Sequence, residues 1–213
     1  MPGVLTSELG AVETAPGPES LAARAADWLL DAVAGQDRAA VAISGGGTPR
    51  LLFQRLGTRP LVSRFPWPAV HWFWVDERLV PPDDPDSNFG LARRTFLRRA
   101  RVPADHLHPV RTEGITPEQA AHLYEADLKA FYGNAKLDPA RPLFAAVLLG
   151  LGEDGHTASL VPGHDAMAER DRWAVPVIGA RPQPRVTLTV PVLASTRHAA
   201  VLVSGAGKRA ALA

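Results

Sequence analysis

Apolar residues in this chain occur in two patterns: short unbroken runs, and longer stretches where they return every three or four positions. An unbroken run of five to seven apolar residues fits a strand buried on both faces, whereas the three-to-four spacing covers one face of a helix. Runs at Ala39 to Ile43, Ala69 to Val75, Phe144 to Leu149 and Ala199 to Val203 predict strands of a covered sheet. Between them, Leu21, Ala25, Trp28, Leu29, Ala32 and Val33 predict a packing helix that stops at Gly35. Leu51, Leu52 and Leu56 predict a second helix, with Thr48 as its cap and Pro49 as its first residue. Ser87 is positioned to cap a third, near Phe89 to Arg99. Thr116-Pro117-Glu118 caps a fourth whose buried stripe is Ala120, Leu123, Tyr124, Leu128 and Phe131, and Gly133-Asn134 ends it.

Minor elements complete the pattern. His106 to Val110 and Trp173 to Val177 read as short strands, and Thr157 to Leu160 as one helical turn cut off by Pro162. Arg185 to Val190 alternates, with Val186, Leu188 and Val190 on one side and Arg185, Thr187 and Thr189 on the other. Strands alternating with helices predict a single-domain three-layer αβα fold, with a mostly parallel, Rossmann-like open sheet and helices on both faces. Residues 1–18, rich in Pro and Gly, read as a loose lead-in with at most one short strand, and 19–213 as the domain.

Composition narrows the class. With 23 basic and 22 acidic residues the net charge is +1, which supplies no field for nucleic acid or an anionic membrane. No apolar run approaches the roughly 18 residues of a spanning helix, and the N-terminus lacks a basic leader region. A cytoplasmic protein acting on a small molecule is expected, and a monomer. The absence of cysteine excludes thiolate metal sites and cysteine nucleophiles.

Candidate chemistry gathers at the ends of the predicted strands. Gly150, Gly152 and Gly155 follow the run at Phe144 and hold His156 at the carboxyl end of that strand, where open α/β sheets place ligands. A loop histidine is often satisfied by a neighbouring carbonyl. Here Asp154, two residues earlier on a glycine-flanked turn, is placed to accept the Nδ1 proton and leave Nε2 as a base. After the strand at Ala39, Ser44-Gly45-Gly46-Gly47-Thr48 leads into a helix. Such a loop is either a tight turn or an anion cradle, and strand, glycines, hydroxyl and helix together favour the cradle. Asp76-Glu77-Arg78 ends the aromatic strand as a solvated rim or as a site wall. Lys208, one of three lysines, opens a helix after the last strand.

Other motifs fail on inspection. Gly150-Leu-Gly152-Glu-Asp-Gly155 matches a dinucleotide fingerprint, but Pro162 halts the helix that motif needs. Gly205-Ala-Gly207-Lys208 lacks the first glycine and the hydroxyl of a phosphate-binding P-loop. Asp84, Asp86 and Asn88 do not complete a calcium loop, because Phe89 displaces its glycine. His106 and His108 share a strand face without a visible third ligand, so no metal is expected.

Four segments together resemble the 6-phosphogluconolactonase family, within the larger group that includes glucosamine-6-phosphate deaminases. They are Ser44 to Pro49, Asp76-Glu77-Arg78 with Ser87-Asn88, Gly150 to Leu160, and Arg185 to Thr189 with Gly205 to Lys208. The resemblance implies cofactor-free hydrolysis of 6-phosphogluconolactone in the oxidative pentose phosphate pathway. It implies that His156 activates water, that Asp154 orients it, that Arg78 stabilises the oxyanion or holds ring hydroxyls, and that Asp76 and Asn88 line the same pocket. The phosphate falls on Gly45, Gly46, Gly47, Thr48, Arg185 and Lys208. Gly47 stands where a serine is usual in the family, and the chain looks short at its C-terminus against family members.

Two other functions remain. The deaminase branch carries an acid shortly after its motif histidine, and Thr157 to Val161 contains none. A sugar-phosphate-binding regulatory domain normally sits behind a DNA-binding module, for which this chain offers no room. Ser159 lacks the strained elbow of a nucleophilic serine and reads as structural.

Overall fold

The computed structural model describes residues 4–7 and 10–212. Its centre is a five-stranded parallel sheet in the order β10-β7-β3-β4-β6. These strands are β3 (Ala39–Ile43), β4 (Val70–Trp74), β6 (Leu107–His108), β7 (Phe144–Gly150) and β10 (Thr196–Leu202). The chain moves outward from β3 through β4 to β6, returns to the other side of β3 as β7, and ends on β10. The order therefore reverses between β3 and β7, and the loops leaving those two strands open a crevice there.

Burial alternates along the strands as a sheet covered on both faces requires. Val41, Ile43, Trp72, Trp74 and Leu148 pack on one side with helices α1 (Pro18–Val33) and α2 (Gly47–Leu56), joined by Phe96. Ala40, Ala42, Phe73, Val75 and Val147 pack on the other with α6 (Pro117–Tyr132). Each fully buried large apolar side chain contributes about 1.5–3 kcal/mol, so two such cores hold the strand ends rigidly. The short helices α3 (Leu61–Arg64), α4 (Asn88–Ala92), α5 (Arg98–Ala100), α7 (Val190–Ala194) and α8 (Arg209–Leu212) complete the helical complement. A π turn, Arg93–Leu97, joins α4 to α5, so residues 88–100 run as one helix.

Several expectations need correction. The lead-in holds two strands, β1 (Val4–Ser7) and β2 (Gly10–Glu13), paired antiparallel, where at most one was expected. Asp76–Arg78 is not the end of the aromatic strand but a strand of its own, β5, in a second sheet. That sheet has the order β5-β9-β8, with β8 (Ala174–Val177) and β9 (Arg185–Leu188), all antiparallel. It packs beside α6, which is why Thr187 and Thr189 are fully buried despite the alternating pattern. Thr187 Oγ1 accepts from the Ser159 amide, and Thr189 Oγ1 donates to the Arg172 carbonyl.

Thr157 to Leu160 forms a bridged turn rather than a helical one, with Ala158 at φ 51°, a conformation that interrupts a right-handed helix. Helix α2 starts at Gly47, so Thr48 lies inside its first turn and does not cap it. Its hydroxyl meets Ser204 Oγ at 3.3 Å instead. On α6 the reciprocal capping box of Thr116 and Gln119 is present, but Leu123 faces solvent and Ala121 and Tyr132 take buried places on the helix.

Two polar devices steady the sheet. The buried Tyr124 hydroxyl donates to the Trp74 carbonyl at 2.7 Å and accepts from its amide at 2.8 Å, satisfying both backbone groups at the end of β4. At the other end of that strand His71 Nδ1 lies 3.1 Å from His108 Nε2, and His108 Nδ1 lies 2.9 Å from Asp127. His106 stacks on His71. Desolvation and the neighbouring His106 push the His71 imidazole down to about 4, so it sits neutral within this chain.

Candidate active site

The carboxyl ends of β3, β4, β7 and β10 surround one cavity of about 200 Å³, sized for a monosaccharide phosphate and too small for a dinucleotide. Ser44, Gly45, Gly46, Gly47 and Thr48 enter it from β3, and Gly150, Gly152 and His156 from β7. Asp76, Arg78 and Arg185 come from the small sheet, Asn88 from α4, and Lys208 from the turn after β10. The residues expected to form a site thus converge from six parts of the chain, and only Asp154 stands behind the wall, against His156.

The glycine loop is shaped by close approach. A Cβ on Gly45 would lie 1.8 Å from Asn88 Oδ1, so a side chain there would expel the Asn88 amide from the pocket. Past it, the chain turns into the ten-residue α2, whose first amides have no intrahelical partner and carry the positive end of the helix dipole. Arg185 and Lys208 add positive charge to the same cavity. Burial lowers the proton affinity of the Arg185 guanidinium, and Asp76 offsets this at 3.7 Å. The Nε atoms of Arg78 and Arg185 and the Ser44 hydroxyl are buried without a hydrogen-bond partner.

Asp76 is buried, with one bond accepted by each carboxylate oxygen. Ser159 Oγ donates to its Oδ2 at 2.6 Å and Asn88 Nδ2 to its Oδ1 at 3.3 Å, which explains Ser159 as a strut rather than a nucleophile. Glu77, which nothing in the sequence separates from its neighbours, is the anchor of this wall. Its carboxylate accepts from the amides of Arg78, Asn88 and Phe89 at 2.7–2.8 Å and from the Ser87 hydroxyl at 3.1 Å. Burial pushes the Glu77 carboxyl up to about 7 against the pull of those amides. The effect is to fasten the start of α4 to β5 and so aim Asn88 into the pocket. Ser87 caps that helix as expected, accepting from the Gly90 amide at 2.9 Å. The Arg78 guanidinium donates to the Asp86 carbonyl, which fixes its direction.

His156 is set by the loop after β7. Gly152 N donates to the His156 carbonyl at 2.7 Å, and the Thr157 hydroxyl donates to the Gly150 carbonyl at 2.9 Å. A Cβ on Gly152 would lie 2.0 Å from His156 Nδ1 and 2.5 Å from Asp154 Oδ1, so glycine is required for the imidazole and carboxylate to pack over the turn. Asp154 Oδ1 sits 2.5 Å from His156 Nδ1. With Nδ1 protonated toward that oxygen, Nε2 is the acceptor. The His156 hydrogen bond, followed by one from Arg181, holds the Asp154 carboxyl far below the usual carboxylate range. Arg181 has no sequence signal: it lies 25 positions from His156, on the loop between β8 and β9.

Comparison with known proteins identifies the family. The family model for glucosamine-6-phosphate isomerases/6-phosphogluconolactonase matches residues 17–213. The chain belongs to this family. Among curated relatives, a 6-phosphogluconolactonase of Nostoc sp. is 40% identical over 207 residues, 95% of this chain and 83% of that protein. The solved 6-phosphogluconolactonase of Trypanosoma cruzi superposes with a TM-score of 0.80 at 30% identity, covering 93% of this chain and 82% of that one. A monomeric glucosamine-6-phosphate deaminase shares the fold alone, at a TM-score of 0.76 and 19% identity, covering 93% of this chain and 83% of that one. The family takes in both glucosamine-6-phosphate isomerases and 6-phosphogluconolactonases, and the residues around His156 bear on the choice.

Proposed function

We propose that this chain is a 6-phosphogluconolactonase that hydrolyses 6-phospho-D-glucono-1,5-lactone to 6-phosphogluconate, with His156 as general base. The observation that carries this reading is the sharing of one cavity by a cationic, amide-rich cradle and an imidazole whose Nδ1 is tied to Asp154. The phosphate occupies the first amides of α2 with Arg185 and Lys208, where helix dipole and charge act together. The lactone ring then extends toward His156, with Asp76 and Asn88 against its hydroxyls.

In this arrangement His156 Nε2 takes a proton from water as its oxygen bonds to the lactone carbonyl carbon. Negative charge forms on the carbonyl oxygen and is met by Arg78. The tetrahedral intermediate collapses by breaking the bond from that carbon to the ring oxygen. The ring oxygen leaves as a hydroxyl with the proton returned by His156, and the product is the open-chain acid. A δ-lactone is already an activated ester, so positioning, one base and one cation suffice.

The deaminase reading is disfavoured by the stretch after His156, where Thr157, Ala158 and Ser159 form a bridged turn without an acid to partner the imidazole. Assay of the purified chain on both substrates separates the two. Acid release from the phosphorylated lactone well above its spontaneous rate is expected, and ammonia release from glucosamine 6-phosphate without lactone hydrolysis would reject the proposal. Among the described residues no helix is long and apolar enough to cross a membrane.

A further inference from the structure

We propose that Arg181 is a positioning residue for the His156 base, acting through Asp154 to lock the imidazole. The inference rests on the assignment of His156 as base and extends it to a group outside the cavity wall. Asp154 divides its two oxygens: Oδ1 faces His156 Nδ1 at 2.5 Å, and Oδ2 accepts from the Arg181 guanidinium. The same guanidinium nitrogen lies 2.8 Å from His156 Nδ1. A guanidinium can only donate, so Arg181 is directed at the same edge of the ring as the Asp154 carboxylate.

Two features of this contact serve the base. The Asp154 side chain is 44% exposed on a glycine-flanked turn, so with His156 as its sole partner the carboxylate would be free to rotate. Holding the second oxygen fixes the carboxylate plane and, with it, the ring. Finally, the guanidinium is itself placed. Its loop is tied to the neighbouring one by Gln183 Nε2 donating to Asp86 Oδ2 at 2.8 Å, and by the Leu79 amide donating to the Pro184 carbonyl at 2.9 Å. The Asp86 carbonyl receives Arg78, so one loop steadies both the base and the oxyanion cation.

Asp154 and Arg181 are the charged groups touching the imidazole. Asp76, Arg78, Arg185 and Lys208 face it across the cavity, and Glu153 packs beside Gly207 at the next turn. Arg181 does not line the cavity, which separates a positioning role from one in binding substrate.

The test is steady-state kinetics on the phosphorylated lactone with Arg181→Met, Arg181→Lys, Asp154→Asn and the Arg181→Met/Asp154→Asn pair, each checked for an unchanged melting temperature. Arg181→Met is expected to lower kcat about tenfold with KM within about twofold, as loss of a supporting contact does. Arg181→Lys should recover part of the lost kcat. The paired variant should be little slower than Asp154→Asn alone, since both changes act through one imidazole. Parental kcat in Arg181→Met, a rise in KM at constant kcat, or multiplicative losses in the pair would each overturn the inference. Failure of the underlying reading shows separately, as parental kcat in His156→Asn.

Discussion

His156→Asn is expected to lower kcat for lactone hydrolysis by about 10²–10⁴-fold, the range contributed by a positioned general base, while KM moves by less than about threefold. Asparagine is near the imidazole in reach and keeps an amide to face Asp154, so the loop held by the Gly152 amide and the Thr157 hydroxyl has no reason to open. The lost function is proton acceptance alone. The measurement is initial acid release at several pH values, corrected for spontaneous opening of the lactone. A variant that turns over as fast as its parent removes His156 from the chemistry.

Arg185→Met carries the second large effect, at the opposite end of the cavity. The Arg185 side chain is only 12% exposed, and its guanidinium has a buried Nε with no partner. A charge-assisted contact of this kind to phosphate is worth about 2–5 kcal/mol when one partner is truncated, so KM for the phosphorylated lactone should rise by about a hundredfold. Asp76 keeps its bonds from Ser159 and Asn88, so the pocket wall should stand. The discriminating control is glucono-1,5-lactone without phosphate, whose kcat/KM should change by less than about threefold. Equal losses on both lactones would place Arg185 at the reacting carbon or in the fold, and not on the phosphate.

The parts of this fold that were legible from sequence are those set by local patterning. β3 matches its apolar run residue for residue, and Ser87, Thr116 and Gly133 bound their helices because capping is a short-range hydrogen-bonding problem. The glycines around His156 announced a turn at a strand end, and the geometry of Gly152 explains why they are needed there. What escaped depends on partners distant in the chain. β5 pairs with β9 across more than a hundred residues, so three charged positions gave no sign that they form a strand. Thr48 has the chemistry of a cap, but Gly46 and Gly47 let α2 begin earlier and Ser204 takes the hydroxyl. Glu77 reads only as one of three charges on a rim or a site wall until the amides of Asn88 and Phe89 converge on it. Arg181 becomes visible only once two loops are folded against each other.

These observations reduce to one spatial claim, that a single sugar phosphate bridges the helix-end cradle and the Asp154-supported imidazole. A crystal structure with 6-phosphogluconate tests it most directly. The account predicts phosphate oxygens on the first amides of α2, Arg185 and Lys208, with the product carboxylate within hydrogen-bond reach of His156 Nε2. A product whose phosphate lies beside His156, or which leaves the glycine loop empty, would contradict it.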